Sequence, residues 1–180
     1  NINSENLSAE SSSGIISISN IQSDLRVKNS SGDINVGMVR GDIRAESSSG
    51  RIELIDVRGS VSLSASSGDI RLSAVEGDIN ASSSSGTVTL SAINGALHLE
   101  TSSGNIAGED VRITDDSSFE TSSGRIDMDL SNQLNDLSFR LTSSSGSLEV
   151  GDLRGEKRLA AGEGVIRITG ESSSGDQFYR

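Results

Sequence analysis

Residues able to carry out acid–base or nucleophilic chemistry are scarce in this sequence. The 180-residue chain has a single histidine, His98, and no cysteine. A Ser-His-Asp triad would need His98 as its base, but it lies between Leu97 and Leu99 in an alternating stretch, which predicts an outward, solvated side chain. Lack of cysteine excludes thiolate catalysis and Cys-ligated zinc or iron–sulfur sites. We therefore expect no catalytic residues, metal or cofactor, and interpret the protein as non-enzymatic.

Carboxylates are numerous but scattered. Gly-Asp recurs at Asp33, Asp42, Asp69 and Asp78, yet a calcium β-roll needs a G-G-x-G-x-D cluster, and Gly-Gly is absent. Cleavage of carbohydrate needs paired carboxylates in a cleft, and aromatic platforms are nearly missing, at 2% of residues. The outward positions mix Asp, Glu, Arg and Ser with no regular Thr-x-Thr array, which disfavours ice binding. We expect Asp33, Arg51 and Asp69 to stack as a charge ladder.

These polar residues belong to an internal repeat marked by Ser-Ser-Gly. The closing glycines recur in steps of 18 from Gly14 to Gly104, followed by longer steps to Gly124 and Gly146; a variant Gly-Glu-Gly ends at Gly164. A fixed period of this length indicates a solenoid. A second glycine often falls nine residues after the first, so each coil has two pseudo-equivalent halves.

Apolar residues occupy fixed offsets from each marker glycine. Offsets 2 and 4, and again 11 and 13, alternate as a strand with one buried face does. Examples are Ile34 with Val36, then Ile43 with Ala45. The same offsets assign Ile166 and Ile168 to the first strand of a coil after Gly164. Offset 7 is Val or Ile and should fill one corner, whereas the serine at offset 16 should close the opposite corner.

The predicted fold is all-β: a single-stranded parallel β-helix (β-solenoid) with 18-residue coils and two short strands in each. We expect one domain over residues 1–180, of about nine coils, and a right-handed coil, because parallel crossovers prefer that hand. The sequence opens on Asn-Ile-Asn, which we interpret as a fragment or mature part of a longer protein.

The net charge of the chain limits the classes of partner that it can bind. The formal net charge of −11 disfavours nucleic acid and anionic membranes as partners. No stretch approaches the length of a membrane span, so we expect no membrane insertion by this segment.

The repeat breaks in two long coils, which predict a bulge. Two residues are added around Asp115-Asp116 and four around Asn132-Gln133-Leu134-Asn135, with Asp136 following. Both insertions fall between the two strands of a coil, so they should protrude side by side at one edge. Insertions in repeat proteins often lie on the binding face. The candidate binding residues are therefore Asp115, Asp116, Asn132, Gln133, Asn135 and Asp136.

The C-terminal tail also departs from the period. Ser-Ser-Ser-Gly returns at Gly175, and Phe178 and Tyr179 follow. These aromatics could cap the open end of the rod or take part in end-to-end self-association.

The Ser-Ser-Gly-Asp-Ile motifs at 30–34 and 66–70 and the Ser-Ser-Gly-Arg-Ile motifs at 48–52 and 122–126 resemble a bacterial adhesin-type β-strand repeat family, a domain of unknown function in LiaG-like cell-envelope proteins. The resemblance implies a β-solenoid displayed outside the membrane, in the cell envelope or extracellular, and anchored through a segment that is not part of this sequence. The family it points to has no established catalytic residues. We expect a structural or adhesive module whose partner is a cell-surface protein or glycan. The alternative is a solenoid that polymerises or scaffolds through its ends.

Overall fold

A computed structural model describes residues 6–180 as two ten-stranded sheets that face each other across one apolar core. The first half of the chain forms β1 (Asn6–Ser13), β2 (Ile16–Ile21), β3 (Asp24–Ser31), β4 (Ile34–Arg40), β5 (Ile43–Ser47), β6 (Ile52–Arg58), β7 (Val61–Ala65), β8 (Ile70–Glu76), β9 (Ile79–Ser83) and β10 (Val88–Gly95). The second half forms β11 (Leu97–Thr101), β12 (Ile106–Ile113), β13 (Ser117–Thr121), β14 (Ile126–Leu130), a 3₁₀ turn (Leu134–Asp136), β15 (Leu137–Ser145), β16 (Leu148–Val150), β17 (Leu153–Gly155), β18 (Arg158–Ala161), β19 (Ile166–Ser174) and β20 (Gln177–Tyr179).

The predicted parallel β-solenoid is confirmed. From the N-terminal end of the rod, the front sheet has the order β2-β4-β6-β8-β10-β12-β14-β20-β16-β17, and the back sheet has the order β1-β3-β5-β7-β9-β11-β13-β19-β15-β18. Ile34 pairs with Ile52 and Ile43 with Val61, so equivalent residues stack from coil to coil. About seven coils keep the regular length of about 18 residues.

The predicted columns form the core because alternation puts every second side chain inside. Ile34, Val36, Val39, Ile43 and Ala45 represent one coil, and all are buried. No coil has enough apolar surface to fold by itself, so stacking must supply the burial. At roughly 25 cal/mol per Å² of apolar surface removed from water, the continuous columns are the main stabilising feature of the rod.

The Ser-Ser-Gly corner is tight because successive glycines nearly touch. A Cβ built on Gly68 would lie 1.9 Å from the carbonyl oxygen of Gly50. The small buried residue at this corner is at offset 15, not at offset 16 as predicted: Ser83 is buried, whereas Ser84 is exposed. The Ser83 hydroxyl accepts a hydrogen bond from the Gly86 amide at 3.0 Å. Placing the hydroxyl one residue earlier lets it satisfy the turn's own amide, which explains the shift.

The recurrent aspartates hold the backbone of the next coil. The Asp33 carboxylate accepts the Arg51 amide at 3.0 Å, and the Asp69 carboxylate accepts the Thr87 amide at 3.0 Å. Asn105 does the same for the Arg125 amide. The predicted charge ladder is therefore wrong: across residues 6–180, no ion pair joins Asp33, Arg51 or Asp69. A backbone amide without an acceptor is costly, whereas an exposed arginine gains little stability from an ion pair. The aspartates therefore bond to the amides.

The opposite corner turns through a left-handed residue in each of six coils. The residue at offset 6 has φ between 52° and 61°, although none is glycine: Asn20, Met38, Asp56, Ala74, Ala92 and Asp110. Such a conformation is unfavourable for residues with a Cβ. It turns the chain so that the following Val or Ile, at offset 7, points into the corner as predicted.

The C-terminal part of the rod is interleaved. β19 lies between β13 and β15, and β20 lies between β14 and β16, so the last segment of the chain sits inside the stack. The assignment of Ile166 and Ile168 to the first strand after Gly164 is wrong, because β19 belongs to the back sheet, where Ile168 pairs with Phe139. Gly175 is the true marker: it stacks between Gly124 and Gly146.

Interleaving also explains the four-residue insertion. β14 and β15 are not in the same layer, since β19 occupies the place beside β13. Residues 131–136, including the 3₁₀ turn, carry the chain one strand further along the rod, about 4.8 Å. The entry to β19 thus lies between Asp116 and Asp136, whereas Asn132, at the start of the second insertion, still contacts Ile113 beside the first. The rod then ends in β17 and β18, which pair antiparallel with β16 and β15.

Candidate functional site

A long groove runs along the outer face of the back sheet, parallel to the rod axis. It crosses β1, β3, β5, β7, β9 and β11 and has a volume of about 650 Å³. Its floor is the backbone at Leu25, Ile43, Val61 and Ile79, whose side chains point into the core. We call it the axial groove. Its outward side chains come from offsets 10 and 12: Asn6, Ser8, Asp24, Arg26, Asp42, Arg44, Ser60, Ser62, Asp78, Asn80 and His98.

One wall of the axial groove is acidic and rigid. The Asp24 carboxylate accepts the Asp42 amide at 2.9 Å, and the Asp42 carboxylate accepts the Ser60 amide at 2.8 Å. Asp78 holds the Ala96 amide in the same way at 3.1 Å. Each bond uses Oδ1, so a second carboxylate oxygen remains at each of these three positions. The wall therefore presents acceptors at coil spacing, on side chains already fixed by the fold.

The facing wall carries cations and neutral donors. Glu46 binds Arg44 through Nε at 3.1 Å and lies 3.7 Å from Nη2 of Arg26. The hydrogen bond from Arg44 is the main reason that the pKa of the Glu46 carboxyl lies below its ordinary value. Both guanidinium groups remain largely exposed and keep further donors free for a ligand. The short side chains of Ser60 and Ser62 leave the middle of the groove open.

His98 closes one end of the axial groove. It is exposed, as predicted, and its Nδ1 lies 3.1 Å from the Ser118 hydroxyl of the neighbouring strand. A Ser-His pair needs a third group to orient the imidazole and a donor for the oxyanion. Within residues 6–180, no third residue is hydrogen-bonded to His98 to orient its imidazole. The contact supports a polar surface role for His98.

The predicted bulge residues divide into structural and exposed members. Asn132 accepts the Ile113 amide at 2.7 Å and donates to the Ile113 carbonyl at 2.9 Å, so its amide group continues the sheet ladder. Asp116 accepts the Arg167 amide at 2.8 Å. It is structurally equivalent to Asp24 and Asp42, whose carboxylates hold the amide of the next strand in the same way, and so extends the acidic wall past the groove.

The remaining bulge residues are solvent-exposed: Asp115, Gln133, Asn135 and Asp136. Asp115 accepts the amide of Asp116, its neighbour in the chain, at 2.7 Å. Because the entry to β19 lies between Asp116 and Asp136, the exposed residues of the two insertions do not form one continuous surface. Ligand binding by this set stays a prediction.

Three glutamates form a ladder on the back sheet, and the interleaved strand supplies the third. Glu100 pairs with Glu120, and Glu120 pairs with Glu171, on adjacent strands of the back sheet. All three are exposed and line a depression of about 330 Å³ with the hydroxyls of neighbouring Ser and Thr residues. Like charges directly opposite each other are unfavourable in a sheet. The period of the repeat could have revealed the first pair, but Glu171 comes from the inserted strand.

Neither a metal centre nor a membrane helix is found in the described chain. Residues 6–180 contain no group of three or more His, Asp or Glu side chains arranged to hold a metal ion. Within the same range, no helix has the length and apolar character needed to span a membrane.

Comparison with known proteins identifies a family but no characterised relative. A family model described as Toastrack DUF4097 matches residues 1–92 and again residues 78–178. No curated protein matches the chain, and no solved structure matches it.

Proposed function

Since the chain belongs to the Toastrack DUF4097 family, a repeat family of unknown function, we propose that it is a non-enzymatic binding module of the bacterial cell envelope. Its ligand is an extended polymer, a glycan or a protein segment, which lies along the axial groove. The observation that carries this proposal is the groove itself: a long, open channel with fixed acceptors on one wall and donors on the other.

The shape of the axial groove favours a linear ligand. Its polar positions repeat once per coil, about every 4.8 Å along the axis, which is close to the length of one sugar ring in a chain. A compact ligand would use only one or two of these positions. A polymer can use one after another, and so gains affinity through repeated weak contacts.

The chemistry of the walls favours a polar ligand. The free oxygens of Asp42 and Asp78 accept hydrogen bonds, and Arg44 and Asn80 donate them. The described residues that line the groove include no Phe, Tyr or Trp, so binding would depend mainly on hydrogen bonds rather than on stacking. Hydroxyl groups and peptide groups both meet this demand. Membership of the cell envelope rests on the resemblance of the Ser-Ser-Gly motifs to LiaG-like proteins.

A co-sedimentation assay tests the proposal. Labelled protein is mixed with an insoluble bacterial envelope preparation, either untreated, digested with protease or oxidised with periodate. Loss of binding after protease identifies a protein ligand, and loss after periodate identifies a glycan. Ser62→Tyr fills the middle of the axial groove, whereas Thr89→Tyr places the same ring on the exposed face of the front sheet as a matched control.

We expect Ser62→Tyr to weaken binding at least about tenfold, equivalent to about 1.4 kcal/mol, and Thr89→Tyr to leave it unchanged. Equal binding by both variants would remove the axial groove as the site. A Gln133→Ala/Asn135→Ala variant tests the exposed bulge in parallel. These substitutions leave Asn132 in place, because it supports the fold through Ile113.

The alternative, polymerisation through the ends of the rod, has less support. At one end the outermost strands are β17 and β18, which are short and antiparallel to their neighbours. That end offers no parallel coil edge on which another copy could continue the stack. Light scattering over a concentration series separates the two: the mass of a fibre would keep growing with concentration, whereas a binding module would not grow beyond a dimer.

A further inference from the structure

The segment 166–180 occupies a slot inside the rod, between strands that all precede it in the sequence. Thr169 of β19 pairs with Ser118 on one side and Arg140 on the other. Tyr179 of β20 pairs with Met128 and Val150. The segment therefore supplies one complete coil, two strands and a Ser-Ser-Gly turn, between coils that precede it in sequence.

The path of the chain would let this coil leave the rod without unthreading any other described segment. Residues 162–165 cross over the start of β15 before entering the slot. The crossing is close: a Cβ on Gly162 would lie 2.1 Å from the Leu137 carbonyl oxygen, and one on Gly164 would lie 2.0 Å from the Asp136 carbonyl carbon. Val165 is 94% exposed at the entry. Because 166–180 follows this crossing and nothing described is threaded through it, the segment can be released as a unit.

The inward side of this coil is less well satisfied than the rest of the core. Gln177 and Tyr179 are fully buried, and their neighbours at the same positions are apolar: Ile126 and Leu148 beside Gln177, Met128 and Val150 beside Tyr179. Gln177 Nε2 donates to the Thr142 carbonyl at 2.8 Å and to the Ser172 hydroxyl at 3.0 Å, but its Oε1 has no partner. The Tyr179 hydroxyl has none either. Buried groups that lose water without gaining a hydrogen bond favour release of the segment.

Release would expose backbone edges on both sides of the slot. β13 and β14 would lose their partners on one side, and β15 and β16 on the other. Unpaired strand edges are templates for pairing with another chain. The slot is shaped for this sequence in particular, since Gly175 fits between Gly124 and Gly146, and the Tyr179 ring fits between Phe119 and Phe139.

We propose that segment 166–180 is exchanged between two copies of this chain, each filling the slot of the other. The recognised partner is a second copy, because the exchanged coil restores the same hydrogen bonds and ring contacts that it makes within one chain. On the outer face it also restores the contact of the Arg180 guanidinium with Asp127 and that of Arg125 with the Phe178 ring. Exchange of an identical element is a common route to symmetric dimers. The proposal does not depend on the axial groove.

Cysteine pairing tests the exchange in the full chain. The protein has no cysteine, so introduced thiols are the only ones that react. One copy carries Ser118→Cys and one tag; the other carries Thr169→Cys and a different tag. These residues pair on adjacent strands, within the reach of a disulfide. The copies are incubated together, oxidised and analysed for the mixed disulfide. Ser64→Cys, exposed on the same face but far from the slot, replaces Ser118→Cys as the collision control.

We expect the mixed disulfide of Ser118→Cys with Thr169→Cys to exceed the control several-fold and to increase with incubation time. A single chain with both substitutions should form an internal disulfide, which checks the placement of β19. If the internal disulfide forms while the mixed disulfide stays at the control level, exchange does not occur. If the internal disulfide fails to form, β19 is not beside β13, and the proposal is equally overturned.

Discussion

The rings of Phe119 and Tyr179 lie 5.9 Å apart between centroids, with their planes inclined by 56°. Phe119 belongs to β13, and Tyr179 ends the strand that is inserted between β14 and β16. A second tilted contact, 5.5 Å, joins Tyr179 to Phe139. Gly170 leaves the space for this ring, since a Cβ there would lie 2.5 Å from the Tyr179 hydroxyl. The aromatics are thus the core of the interleaved coil rather than a cap on its end.

Substitutions of Tyr179 should separate the stabilisation by its buried ring from the destabilisation by its unpaired hydroxyl. Tyr179→Ala removes a fully buried ring, so the free energy of unfolding should fall by about 3–5 kcal/mol. Tyr179→Phe removes a buried hydroxyl without a partner and should raise the free energy of unfolding by up to about 1 kcal/mol. Urea unfolding measures both. A clear loss of stability in Tyr179→Phe would mean that the hydroxyl has a bonding partner.

Stability should decline at high pH through the same residue. Burial raises the pKa of the Tyr179 phenol well above its ordinary value, so above about pH 10 only the unfolded state loses this proton. The free energy of unfolding is therefore unaffected by this group below about pH 10, and above that pH it falls by about 1.4 kcal/mol per pH unit. The chain has one tyrosine and no tryptophan, so phenolate absorbance should appear only with unfolding. Tyr179→Phe should lack this part of the pH dependence; an early phenolate signal in folded protein would contradict it.

Glycine should stabilise the left-handed corner. Ala74 is exposed and has φ of 53°, a conformation that costs a residue with a Cβ about 1–2 kcal/mol. Ala74→Gly should therefore raise the free energy of unfolding by roughly 1 kcal/mol, after its larger unfolded-state entropy is subtracted. Ala107→Gly, in β12 with ordinary strand geometry, should lower it. Thermal unfolding of both variants checks the signs, and a loss of stability in Ala74→Gly would refute the account of this corner.

The corner aspartates should act as acceptors rather than as charges. Asp69→Ala leaves the Thr87 amide without its acceptor and should cost about 0.5–1.5 kcal/mol. Asp69→Asn should be nearly neutral, because Asn105 already holds the Arg125 amide in the equivalent place. Asp129→Ala, on an exposed strand position, serves as the control. If Asp69→Asn proved as damaging as Asp69→Ala, charge would be the important property.

The regular coils were predictable because their pattern is local. The alternation of Ile34 and Val36 identifies the buried face, and the 18-residue step stacks each residue on its equivalent. Left-handed residues such as Ala74 and Ala92 were not predictable, since alanine carries no signal for that conformation. The acceptor role of Asp33 was also hidden, because its partner, the Arg51 amide, lies one full coil away.

Interleaving was not predictable because it leaves the local pattern intact. Ile166 and Ile168 alternate as any strand does, and nothing in that alternation says which sheet they join. Gly164 follows a Gly-Glu pair that resembles the marker, while Gly175 carries the true marker on a shorter tail. The axial groove was equally hidden, since it depends on how the outward side chains of six strands lie next to one another.

Thiol protection tests the binding function most directly. With no native cysteine, Ser62→Cys places one thiol in the axial groove, and Thr89→Cys places one on the exposed face of the front sheet. The rate of modification by a small thiol reagent is measured with and without the bound envelope polymer. A ligand in the groove should slow the reaction of Ser62→Cys at least about tenfold, a free-energy difference of about 1.4 kcal/mol, and leave Thr89→Cys unchanged. Equal protection of both thiols, or of neither, would contradict binding along the axial groove.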